Sequence, residues 1–398
     1  MTILSFLFRK DDFRTSYLTA GAKGICCLFF TVILASLASC SDDSLTFNQI
    51  HYQPQHASGF EIVGTEGAES RVLRITQAWQ GADSTAMELF IARNGEKVPA
   101  GFEGQVIRDS ASRIIALSST HIAMLDLLGK VETVKGVSGI DYISNTYIQE
   151  NRDKITDVGF DSNVDLEALA ACRPDLVLLY GVSSAHALEG RLKSLHIPYL
   201  YIGEYLEPDP LGRTEWLVAL AEVTGNRAAG ERIFQNKVTD YQKLADNIDV
   251  IIGTDRPKVM LNTPYGDTWF MPSENSAMVR MIEEAGGEYL CKGNRSNKSE
   301  PVDPERAYLM ASEADFWLNT GQCSRLSQLA QLCPKFTGIR CFREGRVWNC
   351  DKRTNSKGGN DFWESGVCNP ELILKDLINI FHPGLLEDRS TYYYQKLK

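Results

Sequence analysis

Aromatic side chains that follow short apolar runs are the residues of this chain best suited to bind a ligand. Those placed where predicted strands end are Tyr142, Tyr180, Tyr201, Tyr205, Trp269, Phe270, Phe362 and Trp363. Parallel strands open into a crevice at their carboxyl ends. Aromatic walls with a few polar groups suit a large, flat or apolar ligand with polar edges. The pattern therefore predicts a binding cleft, with core packing as the alternative for each single ring.

Sequence motifs of catalysis and metal binding do not occur in the chain. It contains no G-x-S-x-G, no H-E-x-x-H and no P-loop. The 6 histidines are isolated, and no cluster has metal-ligand spacing. We therefore predict a binding protein, with no enzyme activity, no resident cofactor and no metal site of its own.

Length and charge limit the remaining classes. With 398 residues the chain is too long for one hydrophobic core and suits two domains. A net charge of −10 and the lack of a basic stripe argue against a nucleic-acid partner.

The stretch from Asn163 to Tyr180 predicts a helix–turn–strand unit. Apolar residues at helical spacing come first, and Pro174 then ends the helix. The run Leu176–Leu179 suits a strand buried on both faces, as in parallel sheets. The same order recurs between Val302 and Leu318. Two copies in two halves predict two similar α/β lobes.

Further elements of the first lobe can be predicted from its apolar runs. We expect strands at residues 113–117, 134–137, 176–180 and 199–202. The hydroxyl residues Ser118, Ser119 and Thr120 would cap a helix over residues 121–128. Free backbone amides at such a helix start favour an anion or a carbonyl-bearing ligand.

The N-terminal residues predict an export signal with a lipid anchor. Basic residues precede the apolar stretch Ile25–Ala35, which is shorter than the roughly 20 residues of a membrane span. Leu37-Ala38-Ser39-Cys40 is a lipobox, so residues 1–39 would be removed and Cys40 lipidated. The acidic pair after Ser41 is a weak cue for surface export, which leaves the membrane leaflet open.

Six cysteines of the second half predict disulfides, because an exported protein meets an oxidising environment. They are Cys291, Cys323, Cys333, Cys341, Cys350 and Cys368. Six cysteines allow 15 pairings. A hairpin over residues 342–349 would place Cys341 beside Cys350, and Cys323 could close a loop with Cys333. Cys172 is predicted to be a buried apolar residue.

The order of the first-lobe motifs resembles a known family. RIIALSSTHIAMLDLLG from Arg113, VKGVSGIDYI from Val134 and DVGFDSNVDLEALAACRPDLVLLY from Asp157 follow each other. This order is similar to that of the substrate-binding component of ABC importers for vitamin B12, ferric siderophores and haem. The resemblance runs from Arg113 to about His382.

The resemblance implies an α/β fold with two Rossmann-like lobes joined by a long rigid helix, here with a strand-rich N-terminal extension. The expected ranges are residues 40–112 for the extension, 113–208 for the N-terminal lobe, 209–251 for the connecting helices and 252–398 for the C-terminal lobe. The connecting helix is expected over residues 226–247. In the extension, alternating runs at residues 60–63, 71–75 and 87–91 predict antiparallel strands.

The same resemblance implies a ligand and its contacts. The ligand would be a metal chelate (a ferric siderophore, haem or cobalamin) held between the lobes. The implied lining residues are Ser118, Ser119, Thr120, His121, Tyr142, Tyr180, Gly181, Tyr265, Trp269, Phe270, Phe362 and Trp363. His121 or a tyrosine could ligate a haem iron.

Glu167 and Glu305 match positions at which the family places one glutamate per lobe to form salt bridges with permease arginines. The implied partners are an ABC permease and its ATPase, at the cell envelope. The alternative is a non-transport surface lipoprotein that scavenges a ligand or serves as an interaction module of an outer-membrane uptake complex.

Overall fold

The computed structural model describes residues 47–81, 87–160, 163–181 and 188–398. All of them belong to one compact unit, Thr46–Lys398. The predicted signal segment and the predicted lipidation site Cys40 lie outside the described residues. Within the described part of the chain, no helix is both long and apolar enough to cross a membrane.

The N-terminal extension is a five-stranded sheet in the order β1-β2-β3-β4-β5. Its strands are β1 (Gln49–Tyr52), β2 (Phe60–Gly64), β3 (Arg71–Ile75), β4 (Met87–Ala92) and β5 (Gln105–Arg108). Neighbours pair antiparallel except β4 and β5, which are parallel. One face joins the main core through residues such as Phe60 and Ile62. The other face forms a small separate core around Val72 and Phe90.

Two buried carboxylates bind the segment between β1 and β2: Glu207 at the end of the N-terminal lobe and Glu215 on the connecting helix Pro210–Val223. Glu215 accepts hydrogen bonds from Tyr52 Oη (2.7 Å) and from the backbone N–H groups of residues 55–57 (2.7–2.9 Å). Glu207 accepts from the backbone N–H groups of Ser58 and Gly59, both at 2.9 Å. We call this arrangement the carboxylate clamp. The clamp makes the extension an integral part of the lobe, because buried N–H groups need such acceptors.

The N-terminal lobe is built on a parallel sheet in the order β12-β11-β6-β7-β8. Its strands are β6 (Ile114–Ala116), β7 (Val134–Val137), β8 (Thr156–Asp157), β11 (Leu176–Leu179) and β12 (Tyr199–Tyr201), and β9 (Gly159–Phe160) pairs separately with β10 (Asn163–Val164). Its helices are α1 (Ser119–Leu127), α2 (Thr146–Glu150), α3 (Leu166–Ala171) and α4 (Glu189–Ser194). The four predicted strands are confirmed to within one residue at each end.

Two helices, α5 (Pro210–Val223) and α6 (Arg227–Ile252), connect the lobes. With 26 residues, α6 extends over about 39 Å. The pair packs closely at Gly230, where an added Cβ would collide with the Cβ of Ala221. The predicted long connecting helix is confirmed, and it extends beyond the expected end at residue 247 to Ile252.

The C-terminal lobe has a sheet in the order β15-β13-β17-β18-β19, parallel except for its last strand. The strands are β13 (Lys258–Leu261), β14 (Trp269–Met271), β15 (Glu288–Tyr289), β16 (Glu300–Val302), β17 (Phe316–Leu318), β18 (Val347–Asn349) and β19 (Gln395–Lys396), with β14 paired to β16. The helices are α7 (Ala277–Glu284), α8 (Pro304–Glu313), α9 (Leu326–Leu332), α10 (Arg340–Arg343), α11 (Asp361–Glu364) and α12 (Pro370–Phe381). The predicted fold class, two α/β lobes with a strand-rich extension, is confirmed.

Two expectations about the cysteines are wrong. The segment after Cys341 is not a hairpin: Arg340–Arg343 is a short helix that leads into β18. All seven described cysteines are free and buried, including Cys172 as predicted. The six cysteines expected in disulfides serve here as small core side chains, and burial raises the pKa of the Cys341 thiol to about 12.

Candidate functional site

A cavity of about 980 Å³ lies at the carboxyl ends of β13, β17 and β18. Its lining begins with the loop after β13 (Asn262 to Gly266) and includes Asn319, Asn349 and Trp363. This is the edge at which a parallel sheet presents loops to a ligand. Its size lies at the upper end of the range for small-molecule sites. We call it the cleft cavity.

Exposed aromatic rings mark both walls of this region. On the C-terminal lobe, Tyr265 is 85% exposed, Trp363 59% and Phe270 46%, and all three line the cleft cavity. On the N-terminal lobe, Tyr142 and Phe160 are 56% and 62% exposed, with ring centroids 6.0 Å apart. Exposed rings gathered at strand ends are typical of a binding surface. Phe160 was not among the predicted residues, although its place just after β8 is the same signal.

Three predicted lining residues belong to the core instead. His121 is fully buried, and neither ring nitrogen has a hydrogen-bond partner among the described residues. Burial lowers the pKa of His121 to about 3, so the ring is neutral. Trp269 is buried, donates to the Leu261 carbonyl (2.9 Å) and packs on Trp317. Phe362 is buried against Tyr393 and Tyr394. Contrary to the expectation, these three side chains are buried and do not line the cleft cavity.

The predicted anion site at the start of α1 faces a carboxylate of the protein itself. Ser118 caps the helix, and its hydroxyl lies 2.8 Å from that of Thr120. Thr120 donates to Glu204 Oε1 at 2.6 Å. Burial raises the pKa of Glu204, and Arg213 is its nearby countercharge. Ser119 is partly exposed beside this group. The side-chain hydroxyls of Ser118 and Thr120 at the start of α1 are therefore hydrogen-bonded within the protein.

The other lining residues predicted on the N-terminal lobe lie at the end of β11. Tyr180 is partly buried, and Gly181 is buried with its carbonyl accepting from Tyr205 Oη. Tyr201 is buried and packs edge-on against Trp79 of the extension at 5.5 Å. Backbone N–H of Gln80 donates to Tyr205 Oη at 3.3 Å. Residues of the extension therefore lie beside the predicted lining residues of the N-terminal lobe.

The two lobes touch directly beside the cleft cavity. Asn355 Nδ2 donates to the carbonyls of Asp141 and Ile143, both at 3.1 Å. The Ser144 N–H donates to Glu364 at 2.7 Å. An added Cβ at Gly359 would collide with the Tyr142 carbonyl. Behind this contact lies a second, polar cavity of about 550 Å³ that includes Glu364. The lobes are therefore fixed to each other at one side of the cleft.

Glu167 and Glu305 occupy equivalent positions in α3 and α8. Each lies two residues after an aspartate that caps its helix, Asp165 or Asp303. Both glutamates are exposed, and neither makes an ion pair with the residues that the structure describes. The described residues also contain no group of three or more His, Cys, Asp or Glu side chains that could hold a metal ion.

The fold and the cleft define a two-lobed solute-binding protein. Residues 114–354 match the family model described as periplasmic binding protein. The match covers more than half of the chain, so the chain belongs to this family. The family and fold are those of binding proteins.

The chain also has sequence relatives and solved structures of similar fold. The chain is 26% identical over 333 residues to an uncharacterized lipoprotein of Methanocaldococcus jannaschii, covering 79% of this chain and 77% of the relative. A periplasmic heme-binding protein from Pseudomonas aeruginosa has a similar fold, with TM-score 0.58, 16% identity, and coverage of 72% of this chain and 98% of that chain. The siderophore-binding protein FhuD from Vibrio cholerae, bound to Fe3+–Desferal, has TM-score 0.50, 17% identity, and coverage of 68% and 100%.

Proposed function

We propose that the protein is the lipid-anchored substrate-binding component of an ABC importer. It holds a metal chelate between its two lobes and delivers the chelate to the permease. The observation that supports this function most directly is the cleft cavity of about 980 Å³ with exposed rings at its rim.

Membrane attachment rests on two separate observations. The sequence places a lipobox at Leu37–Cys40, and a relative is named a lipoprotein.

Glu167 and Glu305, one exposed on each lobe, supply carboxylates for arginines of a permease.

The test is calorimetric titration of the full chain in detergent with cyanocobalamin, haemin and Fe3+–Desferal in turn. We expect one-to-one binding of at least one chelate. Trp363→Ala, which removes an exposed ring of the cleft cavity, should weaken that binding at least about 10-fold. The control is Leu195→Ala, which removes an exposed side chain next to α4, outside the cleft cavity. If all three chelates fail to bind, the proposal is wrong.

A further inference from the structure

The lining of the cleft cavity is rich in side-chain amides. They belong to Asn262, Asn319, Asn349, Asn360, Gln322 and Gln395. Hydroxyls of Thr263, Ser324 and Thr354 lie among them. The described lining residues include no Lys, Arg or His. Asp351 is the single charged residue among them. Asp351 accepts from Gln395 Nε2 (3.0 Å), and no described cation pairs with it.

Asn349 gives this lining a buried acceptor that has no partner. Its Nδ2 donates to the carbonyls of Gly321 (2.9 Å) and Cys323 (3.3 Å). Those two acceptors fix which side of the amide is nitrogen. Asn349 Oδ1 is therefore left without a partner among the described residues, although the side chain is only 1% exposed. A buried acceptor of this kind requires an N–H or O–H donor, which an ordered water or a ligand that reaches this part of the lining can supply.

Among the described residues near the contact between the lobes, three arginines lie beside carboxylates of the protein. His121 is buried and neutral, and Arg213 lies beside the buried carboxylate of Glu204. Arg152 pairs with Asp141 at 2.5 Å. Arg353 pairs with Asp361 at 2.6 Å. Arg152 and Arg353 form ion pairs with carboxylates, whereas Arg213 interacts with Glu204 through its charge and its Nε has no hydrogen-bond partner among the described residues.

Lys357 is a further cation, on the turn around Asn355 that contacts the N-terminal lobe. It is exposed, and its charge acts on Asp141. The described lining of the cleft cavity is therefore neutral to negative, in a chain whose net charge is −10.

These charges discriminate between classes of chelate. Taking ionised carboxylates or catecholates out of water is costly unless cations receive them. Amide and hydroxyl side chains, in contrast, form hydrogen bonds with ligand amides, hydroxamates and hydroxyls, and no charged group has to be desolvated. A nearby unpaired carboxylate adds repulsion for anions and attraction for cations.

We infer that the cleft selects a metal chelate of zero or positive net charge with N–H or O–H donors at its rim, and rejects polyanionic chelates. This inference rests on the proposed function and specifies its ligand. Corrinoids with amide side chains and cationic ferric hydroxamates belong to the selected class. Haem, with two propionates, and ferric tricatecholates belong to the rejected class, even though one structure of similar fold is a heme-binding protein.

The test titrates the full chain in detergent with four probes: cyanocobalamin, Fe3+–Desferal, haemin and a ferric tricatecholate. We expect one of the first two to bind at least about 100-fold more tightly than either anionic probe. Tighter binding of an anionic probe overturns the inference and leaves the proposed function standing. If none of the four probes binds, the result contradicts both the proposed function and the inference that rests on it.

A charge reversal tests the lining itself. Asp351→Lys should raise the affinity for haemin relative to the preferred probe by roughly 10-fold, because it supplies the missing cation. Asp240→Lys, exposed on α6, is the matched control with the same change in total charge. Equal changes in the relative affinity for haemin in the two variants would contradict the assigned role of Asp351. If Asp351→Lys does not fold, Asp351→Asn keeps the side-chain shape and tests half of the charge change.

Discussion

Glu364 couples the protonation of one side chain to the contact between the lobes. It is buried and accepts from the Ser144 N–H across the lobe boundary. Burial, with the nearby charges of Asp361 and Asp126, raises the pKa of Glu364 from 4.5 to about 7. Between these values the folded protein retains a proton that the unfolded chain has released. The free energy of unfolding therefore falls as pH rises from about 4.5 to about 7.

We predict that Glu364→Gln removes part of this pH dependence. Glutamine keeps an acceptor for the Ser144 N–H and has no proton to lose. Thermal or urea unfolding at pH 5 and pH 8 should show a difference in stability that is smaller in the variant by up to about 3 kcal/mol. Glu344→Gln, on an exposed glutamate, is the control. Identical pH profiles for Glu364→Gln and the parent would contradict the prediction.

Residue by residue, the cleft could be predicted only in part. The strand ends identified Tyr142, Phe270 and Trp363 as aromatic positions near a cleft, and the resemblance added Tyr265; all four are exposed. The sequence does not distinguish these rings from Trp269, which is buried two residues before the end of its strand. Which face of a short strand points to the core depends on tertiary packing, so propensity and position alone do not decide it.

At the scale of elements, the carboxylate clamp is the contact that most firmly attaches the extension. Glu215 is fully buried and satisfies four donors of one short segment. Glu215→Gln would replace an acceptor by a donor facing backbone N–H groups. Since buried unpaired donors are costly, we predict a loss of about 2–4 kcal/mol in the free energy of unfolding.

Urea unfolding measures this loss, and protease cleavage between residues 53 and 59 reports detachment of the extension. Glu231→Gln is the matched control, since that glutamate is 41% exposed and pairs with Arg227 on the surface. We expect less than about 0.5 kcal/mol for the control. Equal stability of the two variants would count against the clamp.

The elements with strong periodicity were predicted well. The buried run of β11 and the central strands of the extension follow directly from their patterns. The edge strands β1 and β5 were missed because their half-exposed residues give no clear alternation. The expected hairpin after Cys341 failed because the cysteine spacing was given more weight than the helical tendency of Arg340–Arg343.

At the scale of the whole molecule, several contacts keep the lobes at a fixed distance. The helix α6, the Asn355 hydrogen bonds to Asp141 and Ile143, and the Thr214 Oγ1 bond to the Val367 carbonyl (2.8 Å) all contribute. The extension adds a further link, as Gln80 Nε2 donates to the Asn297 carbonyl of the C-terminal lobe at 2.9 Å. These contacts oppose hinge closure.

We predict that saturation with the bound chelate changes the radius of gyration by less than about 1 Å in solution X-ray scattering. Gln80→Ala, which removes only the link through the extension, should leave that result unchanged because the other contacts remain. A decrease of several ångströms on ligand binding would show that the lobes close about a hinge and that the contacts described here are broken.

Docking to a permease belongs to the same scale, because it needs both lobes at once. We predict that Glu167→Ala combined with Glu305→Ala abolishes uptake in cells that contain the cognate permease, while chelate affinity stays within about 2-fold of the parent. The matched control, Glu132→Ala with Glu387→Ala, removes one exposed glutamate from each lobe elsewhere. Full uptake by the first pair would exclude this role.

The carboxylate clamp also sets an order of events during synthesis and export. Ala57 precedes its acceptor Glu215 by 158 residues, and Ser58 precedes Glu207 by 149. The segment between β1 and β2 therefore leaves the ribosome with its N–H groups unmatched, and contacts so distant in sequence form slowly. Until the lobe arrives, the exposed strand edges of the extension require protection from aggregation. The part of the described chain that is made first is thus completed last.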